Sequence, residues 1–450
     1  MASLAQRYTL PSRMYQGARM TLRERADDVP GAPAAPAARA ARDEAGPCGQ
    51  QHPVTRSCAV SFPSRGEPAP IVFDRALNQW FVFAYDDVVA ALADPRLTID
   101  RMHGFAARAP SGAVDALREH AAWVIDPHGD DFDWVRPVLQ AGLRSIVGAD
   151  SQRAIATAAH ELLDGLVERD GFDVLGDYAL VLSGWVLADL LGADRRDGPR
   201  LMGWAQDLVA FFDDLEIRVA TTEHMARSAS ASVAYARELL ADERCAPRRG
   251  CLGLIARTAS ATGRTLDDEV LGNLLLPVLI GQVPVAQLVA NTTWLLLTHE
   301  DQRLRLARQP SLLAGAIEEA LRYLPPGPLA GRIALEPLDL HDHRIDAGQV
   351  VQLSLANANR DAARFRDPDR FDIARRQGAV LTFGHGPHSC LGARLARMQT
   401  AAALSALLDR APGAELDRER IVGWSTLPGL LGPRELPVRP TTAPAARRAR

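Results

Sequence analysis

The chemistry in this sequence centres on a glycine-rich stretch around one cysteine, residues 383–392, Phe-Gly-His-Gly-Pro-His-Ser-Cys-Leu-Gly. Gly384 permits a tight turn and a close approach of the backbone to a flat ligand. Cys390 is expected near the beginning of a helix, where backbone N–H groups and the helix dipole favour a thiolate. Such a thiolate can bind a metal through its sulfur, and Gly392 would let the helix pack tightly against the ligand.

Two other interpretations of this stretch follow from the residues alone. Cys390 could be a buried free cysteine on a loop, as isolated cysteines often are. It could also bind zinc together with His385 and His388, because structural zinc takes four protein ligands. Cys245 and Cys251 could complete that set, but five residues of a basic loop separate them.

The stretch resembles the cysteine-ligand loop of the cytochrome P-450 family, Phe-Gly-x-Gly-x-His-x-Cys-x-Gly, and every fixed position is present. The resemblance implies haem b as the cofactor, with Cys390 as the axial ligand of the iron and His388 in contact with a haem propionate. Phe383, Gly384 and Gly392 belong to the same implied binding loop. Thiolate ligation of haem iron favours cleavage of the O–O bond. The implied protein is a haem-thiolate oxidoreductase of the monooxygenase type.

A second mark is the pair Glu319 and Arg322, which lie three positions apart on one face of a predicted helix. An isolated pair of this kind is usually a surface ion pair of small energetic value. The apolar neighbours and the prolines that follow resemble the family's buried Glu-x-x-Arg element, which helps to form the haem-binding core. The resemblance implies a third partner within residues 359–371, and we expect it to be Arg360.

Two further arginines resemble family residues that hold haem propionates. Arg332 follows the Glu-x-x-Arg helix, and a guanidinium can pair with a carboxylate through two hydrogen bonds. Arg136 ends a segment that resembles the family's Asp-Pro-Pro-x-His-x-x-x-Arg pattern with two extra residues. Phe132 stands at the position of its histidine, and His128 could replace that histidine only if the loop folds back.

The most apolar stretch, residues 270–297, departs from the family near its centre. Counting back from residues 298–302, the family's Ala/Gly-Gly-x-acid-Thr motif falls on Ile-Gly-Gln-Val-Pro, which places the catalytic positions at Gly281, Gln282, Val283 and Pro284. In the family the acid and the threonine relay protons during oxygen activation. Neither valine nor proline has a side chain that can do so, and proline is expected to kink the helix.

This departure leaves several chemistries open. A substrate hydroxyl or an ordered water held by Gln282 could carry the proton, peroxide could replace dioxygen and reductant, or the reaction could be a coupling or rearrangement. A further alternative is a catalytically degenerate family member that binds haem or ligand and serves as a scaffold or a partner-activating subunit. Family peroxygenases with a proline here carry an arginine before it, and Val283 is not that arginine. A register shifted by one turn would instead involve Thr292 and Thr293.

The elements that must position these residues are mostly helical. The apolar period of 3.6 predicts helices at residues 86–94, 154–167, 180–191 and 312–323. Residues 270–297 are expected to form a long central core helix rather than a membrane span, because they include asparagine, glutamine and proline. Short strands are predicted at residues 80–85, 348–355 and 435–439. The predicted fold is mainly α, a single large cytochrome P-450-like domain with small β-sheets.

The composition of the chain bears on its domain bounds, its cellular compartment and the classes of partner that it could bind. The 450 residues include 51 basic and 55 acidic side chains, and a nucleic-acid binder would normally have a basic surplus. Five scattered cysteines fit a reducing compartment, so we expect a cytoplasmic protein. Residues 1–50 and 441–450 lack a periodic apolar face and are predicted to be disordered tails. The haem-thiolate domain would then occupy residues 51–440.

The resemblance also implies partners. The substrate would be a hydrophobic small molecule, an intermediate of secondary metabolism, and no membrane or nucleic acid is expected. Electrons would come from a ferredoxin and its reductase docking over the Cys390 face, with Arg394 and Arg397 as contacts. The expected substrate-pocket segments are residues 102–113, 208–215, 280–284, 329–331 and 427–431.

Overall fold

The computed structural model describes residues 70–75, 77–99, 130–212, 218–241, 250–376, 378–417, 419–420, 423–425 and 429–440. The two predicted tails and the expected pocket segment at residues 102–113 lie outside these ranges. So do His128 and the cysteines other than Cys251 and Cys390.

Helices make up most of the described chain. They are α1 (Tyr85–Ala93), α2 (Asp130–Ile146), α3 (Ala149–Leu166), α4 (Leu180–Leu191), α5 (Gly198–Phe212), α6 (Val219–Ala241), α7 (Gly250–Thr262), α8 (Asp268–Thr298), α9 (Glu300–Arg308), α10 (Leu313–Tyr323), α11 (Leu355–Ala358) and α12 (Ala393–Arg410). A π-helical turn (Val174–Ala179) precedes α4, and short 3₁₀ turns cover Arg195–Asp197, Pro310–Leu312 and Gly386–His388. The four helices predicted from periodicity correspond to α1, α3, α4 and α10.

The predicted central helix is α8, which is continuous over 31 residues despite two internal prolines. The carboxylate of Asp267 caps its first turn by accepting a hydrogen bond from the N–H of Val270 at 2.9 Å. The helix is long and apolar enough to cross a membrane, as is Val174–Leu191, but 78% of its most apolar window is buried inside the protein. It is therefore a core helix, as predicted, and most of the other helices share its apolar core.

Three small sheets accompany the helices in the described chain. The largest has the strand order β1-β2-β8-β5-β3, from β1 (Ile71–Asp74), β2 (Gln79–Val82), β3 (Leu97–Thr98), β5 (Leu329–Ala334) and β8 (Val350–Ser354). Its β2–β8 pair is parallel and its other pairs are antiparallel. The others join β4 (Phe172–Asp173), β10 (Pro437–Arg439) and β9 (Glu415–Leu416), and β6 (Leu338–Leu340) with β7 (His343–Ile345). The mainly α fold with small sheets is confirmed.

Two buried amides tie α8 to the chain after residue 429. Gln287 donates from Nε2 to the carbonyl of Pro433 at 3.1 Å, and Asn291 donates from Nδ2 to the carbonyl of Leu431 at 2.9 Å. Gly432 lies between these two contacts, and a Cβ there would come within 2.1 Å of both amides. Only glycine fits this close approach, which holds the C-terminal segment against the central helix.

The Glu-x-x-Arg pair forms a buried, doubly hydrogen-bonded ion pair. Arg322 donates from Nε and Nη2 to the two carboxylate oxygens of Glu319, each at 2.8 Å, and both side chains are only 2% exposed. Burial of two charges is costly unless their remaining hydrogen-bonding atoms are satisfied. Arg322 meets this condition by donating also to the carbonyls of Asn359, Pro368 and Arg370.

The third member of this network differs from the prediction. Arg375 donates from Nε to both oxygens of Glu319, at 3.1 and 3.0 Å. Arg360 does not reach that carboxylate; it donates to Asp369 and to the carbonyl of Tyr323, whose ring its guanidinium covers at 4.0 Å. The assignment of Arg360 as the third partner was therefore wrong. Both arginines follow α10 in irregular chain, where no periodicity shows which of them faces Glu319.

Replacement of Arg375 by methionine should destabilise the fold strongly. The substitution leaves the Glu319 carboxylate, which Arg375 shares with Arg322, with one fewer cationic partner in a buried position. Loss of one member of a buried ion pair costs about 3 kcal/mol. The exposed neighbour Arg376 provides the matched control, Arg376→Met. Urea unfolding of both variants measures the effect, and equal stability of the two would contradict the assigned role of Arg375.

Candidate active site

The residues just before the cysteine stretch form hydrogen bonds with α10 and with Asn359, which directly follows α11. Thr382 donates its hydroxyl to the carbonyl of Leu321 in α10 at 2.6 Å. Asn359 accepts from the N–H of Leu381 at 2.7 Å and donates to Thr382 at 2.9 Å. Because Arg322 donates to the carbonyl of Asn359, the Glu-x-x-Arg network extends without interruption to the residue before Phe383.

Cys390 lies at the end of a tight turn. Its N–H donates to the carbonyl of Phe383 at 2.8 Å, which closes the loop. Gly384 and Gly386 have φ angles of 70° and 75°, a region that disfavours residues with a side chain. Helix α12 begins at Ala393, three residues after the cysteine. The predicted order of glycine turn, cysteine and helix is therefore present.

The pKa of the Cys390 thiol is shifted upward, whereas we expected the helix N-terminus to lower it and favour a thiolate. Burial raises its pKa above the usual value, and this is the largest influence. The N–H groups of Gly392 and Ala393 lower the pKa, as expected near a helix N-terminus, and so do the charges of two arginines, Arg397 and Arg136. The net direction is upward, so the helix terminus alone does not produce a thiolate. A metal bound at the sulfur would, because coordination deprotonates a thiol.

A cavity of about 410 Å³ lies between the cysteine stretch and α8. Helix α8 contributes residues spaced three or four apart, which places them on one helix face: Asn273, Pro277, Gly281, Pro284 and Leu288. Helix α2 contributes a second stripe of the same spacing, Val135, Leu139 and Leu143. The walls are mostly apolar, and this makes the cavity suitable for a hydrophobic ligand.

Most of the predicted site residues meet in this one cavity. Those that line it are Gly281, Gln282, Pro284, Arg136, Phe383, His388, Cys390 and Gly392. Val283 is 5% exposed and packs in the core, while Gly384 shapes the turn without lining the cavity. Arg332 is buried on β5, where its Nη1 donates to the carbonyl of Gly331 at 2.9 Å, and it is not among the cavity residues.

The register of α8 agrees with the position of the cavity. The alternative hydroxyls, on Thr292 and Thr293, are buried and donate to the carbonyls of Leu288 and Val289 within the helix. Neither lines the cavity, whereas Gly281 and Pro284 do. This favours the predicted register, in which Val283 and Pro284 stand at the positions of the family's acid and threonine, and the side chain of Pro284 brings no hydroxyl to the cavity wall.

The other predicted pocket segments agree less well. Residues 329–331 do not line the cavity, and Pro326 and Gly327 lie there instead. Of residues 208–215 and 427–431, the described parts also lie elsewhere. The stripe on α2 was missed, although its regular spacing of four residues is visible in the sequence. That spacing shows which residues share a face but not that the face borders a cavity.

The residues present fit a haem. Cys390 lines the cavity and retains accessible surface there. A Cβ on Gly392 would lie 3.9 Å from the Cys390 sulfur, so the missing side chain keeps the space beside the sulfur open. Arg136 approaches the same turn, donating from Nη2 to the carbonyl of Ser389 at 2.9 Å. With His388, it could hold the carboxylates of a porphyrin.

The zinc interpretation finds no support in the part of the chain that the structure describes, where no group of three His, Cys, Asp or Glu residues is placed to hold a metal ion. Cys251 is buried in α7, and its sulfur packs against Gly142 of α2. Burial raises its pKa to about 11. Cys251 is therefore an apolar core residue rather than a ligand shared with Cys390.

Comparison with known proteins agrees with the haem-binding interpretation of the site. The family model named Cytochrome P450 matches residues 302–410. The cytochrome P450 monooxygenase PikC of Streptomyces venezuelae is 33% identical over 373 residues, which cover 80% of this chain and 85% of that protein. The cyclomarin C epoxidase CymV of Salinispora arenicola is 30% identical over 371 residues, covering 82% and 92%.

A solved structure extends the similarity to the fold. P450BioI, in complex with an acyl carrier protein ligated to hexadec-9Z-enoic acid, has a TM-score of 0.71 and 27% identity, covering 82% of this chain and 94% of that one. The chain belongs to the cytochrome P450 family. It is a haem enzyme of the monooxygenase type whose cofactor, haem b, is ligated by a cysteine thiolate.

Replacement of Gly392 by leucine should abolish most haem binding while the fold persists. The new side chain would begin beside the Cys390 sulfur and occupy the side of the cavity that a porphyrin needs. The control is Gly165→Leu, at an exposed position of α3 where an added Cβ would meet no atom within 4 Å. Haem absorbance relative to protein absorbance measures the effect. Equal haem content in the two variants would show that Gly392 does not border the haem.

Proposed function

We propose that this protein oxidises a hydrophobic small molecule, an intermediate of secondary-metabolite biosynthesis, in the cytoplasm. The observation that carries the proposal is the single cysteine sulfur of Cys390 facing an apolar cavity beneath α8. The names of similar proteins support the substrate class: a cyclomarin C epoxidase, a mycinamicin IV hydroxylase/epoxidase, and a P450 of a bacillaene polyketide synthase.

Each wall of the cavity has a separate task in this proposal. Bound haem supplies the oxidation of a C–H or C=C bond with dioxygen and two electrons. Cys390 holds the iron, and Arg136 and His388 neutralise and orient the haem carboxylates. The apolar stripes of α2 and α8 bind the substrate and exclude water from the reacting carbon. Arg136 suits its task because burial already lowers its pKa, so a nearby carboxylate would offset the cost of its buried charge.

Proton delivery cannot follow the family's usual route. Val283 packs in the core and Pro284 lines the cavity without a hydroxyl or an N–H. A proton must therefore come from a water or from the substrate itself. The absence of these groups also favours a second candidate function, oxidation driven by hydrogen peroxide, which needs no external electrons.

The electron donor in this proposal is a ferredoxin supplied by a ferredoxin reductase. Arg394, on the first turn of α12, is exposed and has no ion pair among the described residues. Arg397 is already engaged: it pairs with Glu318, with Nη2 at 3.0 Å from Oε2, and its guanidinium covers the ring of Phe383 at 4.5 Å. Arg394 is therefore the better docking contact, and Arg397 supports the cysteine stretch.

The proposed function is tested by the absorption spectrum and by the source of electrons. The reduced carbon-monoxide complex should absorb as a thiolate–haem adduct, and Cys390→Ala should lose that band while the buried-cysteine control Cys251→Ala keeps it. A panel of hydrophobic secondary-metabolite intermediates, with cyclomarin C and mycinamicin IV among them, should then contain a compound that is oxidised with NADPH, ferredoxin and ferredoxin reductase. Oxidation with hydrogen peroxide alone would instead establish the second candidate function. Persistence of the band in Cys390→Ala would overturn the ligand assignment.

Charge reversal at Arg394 should weaken ferredoxin docking. A rim charge acts mainly on the association rate and its salt dependence, so Arg394→Glu should slow haem reduction by ferredoxin several-fold at low salt. Arg227→Glu, on α6 in another part of the fold, supplies the same charge change as a control. Stopped-flow reduction under carbon monoxide measures the rate without any substrate. Equal rates in the two variants would place the docking surface elsewhere.

A further inference from the structure

The guanidinium of Arg397 lies beside the cysteine stretch, on α12 and outside the cavity. Its central carbon is 4.5 Å from the centre of the Phe383 ring, and its Nη1 donates to the carbonyl of Ala393 at 3.4 Å. Phe383 in turn accepts the hydrogen bond from the N–H of Cys390 that closes the loop. A positive charge is therefore held in contact with the loop that carries the sulfur, although Arg397 is not among the cavity residues.

Glu318 orients this charge. Its carboxylate accepts hydrogen bonds from Nε and Nη2 of Arg397, the latter at 3.0 Å, so the two planar groups pair side by side. The side chains of Arg397 and Glu318 are 39% and 41% exposed, and an ion pair of that exposure stabilises a fold by less than about 1 kcal/mol. The pair therefore contributes little to stability, and its place beside the cysteine stretch distinguishes it from other surface pairs.

The charge of Arg397 acts on the Cys390 sulfur. Burial is the largest influence on the pKa of that thiol and raises it, whereas the positive charges of Arg397 and Arg136 lower it. The influence is mutual, because the pKa of Arg397 is raised chiefly by its hydrogen bonds with Glu318 and in smaller part by Cys390. Arg136 lines the cavity, where the proposed function pairs it with a haem carboxylate. Arg397 lies outside the cavity, so no cofactor carboxylate neutralises its charge there.

This arrangement favours reduction at the centre that Cys390 holds. In the proposed function one electron passes from ferredoxin to the ferric iron, which becomes ferrous, and the centre gains one negative charge. A nearby positive charge favours the form with the additional electron and a negative charge opposes it, to an extent that falls with distance and with screening by salt. Arg397 and Glu318 therefore act on the same equilibrium with opposite signs, and Arg397 is the partner in contact with the cysteine stretch.

We propose that Arg397, oriented by Glu318, raises the reduction potential of the cysteine-ligated haem and so favours acceptance of the electron from ferredoxin. This inference rests on the proposed function and adds to it a residue that acts through the cysteine ligand, without contact with the substrate. The task of Arg397 differs from that of Arg394, which docks the partner, because the charge of Arg397 acts on the haem when no partner is bound.

The test measures the reduction potential of the haem without ferredoxin and without substrate. Haem-loaded full-length protein is titrated by spectroelectrochemistry with mediator dyes. Arg397→Gln should lower the equilibrium constant for reduction about threefold, as expected for one half-exposed charge. This change corresponds to about 28 mV, because a tenfold change in a one-electron equilibrium is about 59 mV. Arg397→Lys keeps the charge and should retain most of the wild-type potential.

Arg410→Gln is the matched control. Arg410 also lies on α12, thirteen residues or about 20 Å further along, where it is equally exposed at 39% and pairs with Asp164. Its replacement should leave the potential unchanged. Glu318→Gln should raise the potential, the opposite sign to Arg397→Gln, because the negative partner is the one removed.

Three results would overturn the inference. They are an equal potential in Arg397→Gln and Arg410→Gln, a lowered potential in Glu318→Gln, and loss of the thiolate–haem band in Arg397→Gln. The last two would mean that the pair acts through the shape of the loop rather than through its charges. Failure of the proposed function is distinguishable from all three, because it would appear as a missing thiolate–haem band in the wild-type protein.

Discussion

The position of Cys390 beside an apolar cavity depends on a hydrogen-bond network that supports its loop. This network begins at the buried carboxylate of Glu319. Two arginines share this carboxylate, and one of them, Arg322, continues the network to the carbonyl of Asn359. Asn359 in turn holds the residues just before Phe383. The loop that carries the sulfur is thus connected to α10 by a chain of hydrogen bonds, charge-assisted at Glu319 and Arg322 and neutral from Asn359 onward.

The parts of this arrangement that were predictable from sequence are those set by nearby residues. The cysteine stretch depends on glycines with positive φ and on a short spacing to α12, and both are local properties. Helices α4 and α8 are strongly apolar over most of their length, and their bounds agree with the prediction to within two residues. Because the family pattern also specifies the pair Glu319 and Arg322, their interaction was predictable as well.

The sequence could not show which of two similar side chains the tertiary fold brings to a given partner. Arg360 and Arg375 both follow α10 in irregular chain, and only the path of the chain between them decides that Arg375 reaches Glu319. The pKa of Cys390 shows the same limit. The helix N-terminus lowers it as local reasoning predicts, and two arginines that the fold brings close lower it as well, but burial of the thiol outweighs them.

The two prolines of α8 have a mechanical consequence for the cavity. Pro277 and Pro284 both lie on the cavity side, seven residues apart, and neither can donate to the carbonyl four residues before it. The otherwise continuous helix therefore lacks two backbone hydrogen bonds on one side, those to the carbonyls of Asn273 and Ile280. Bending at these points breaks no additional backbone hydrogen bond. The cavity wall formed by α8 is therefore more compliant than a helix without internal prolines would be.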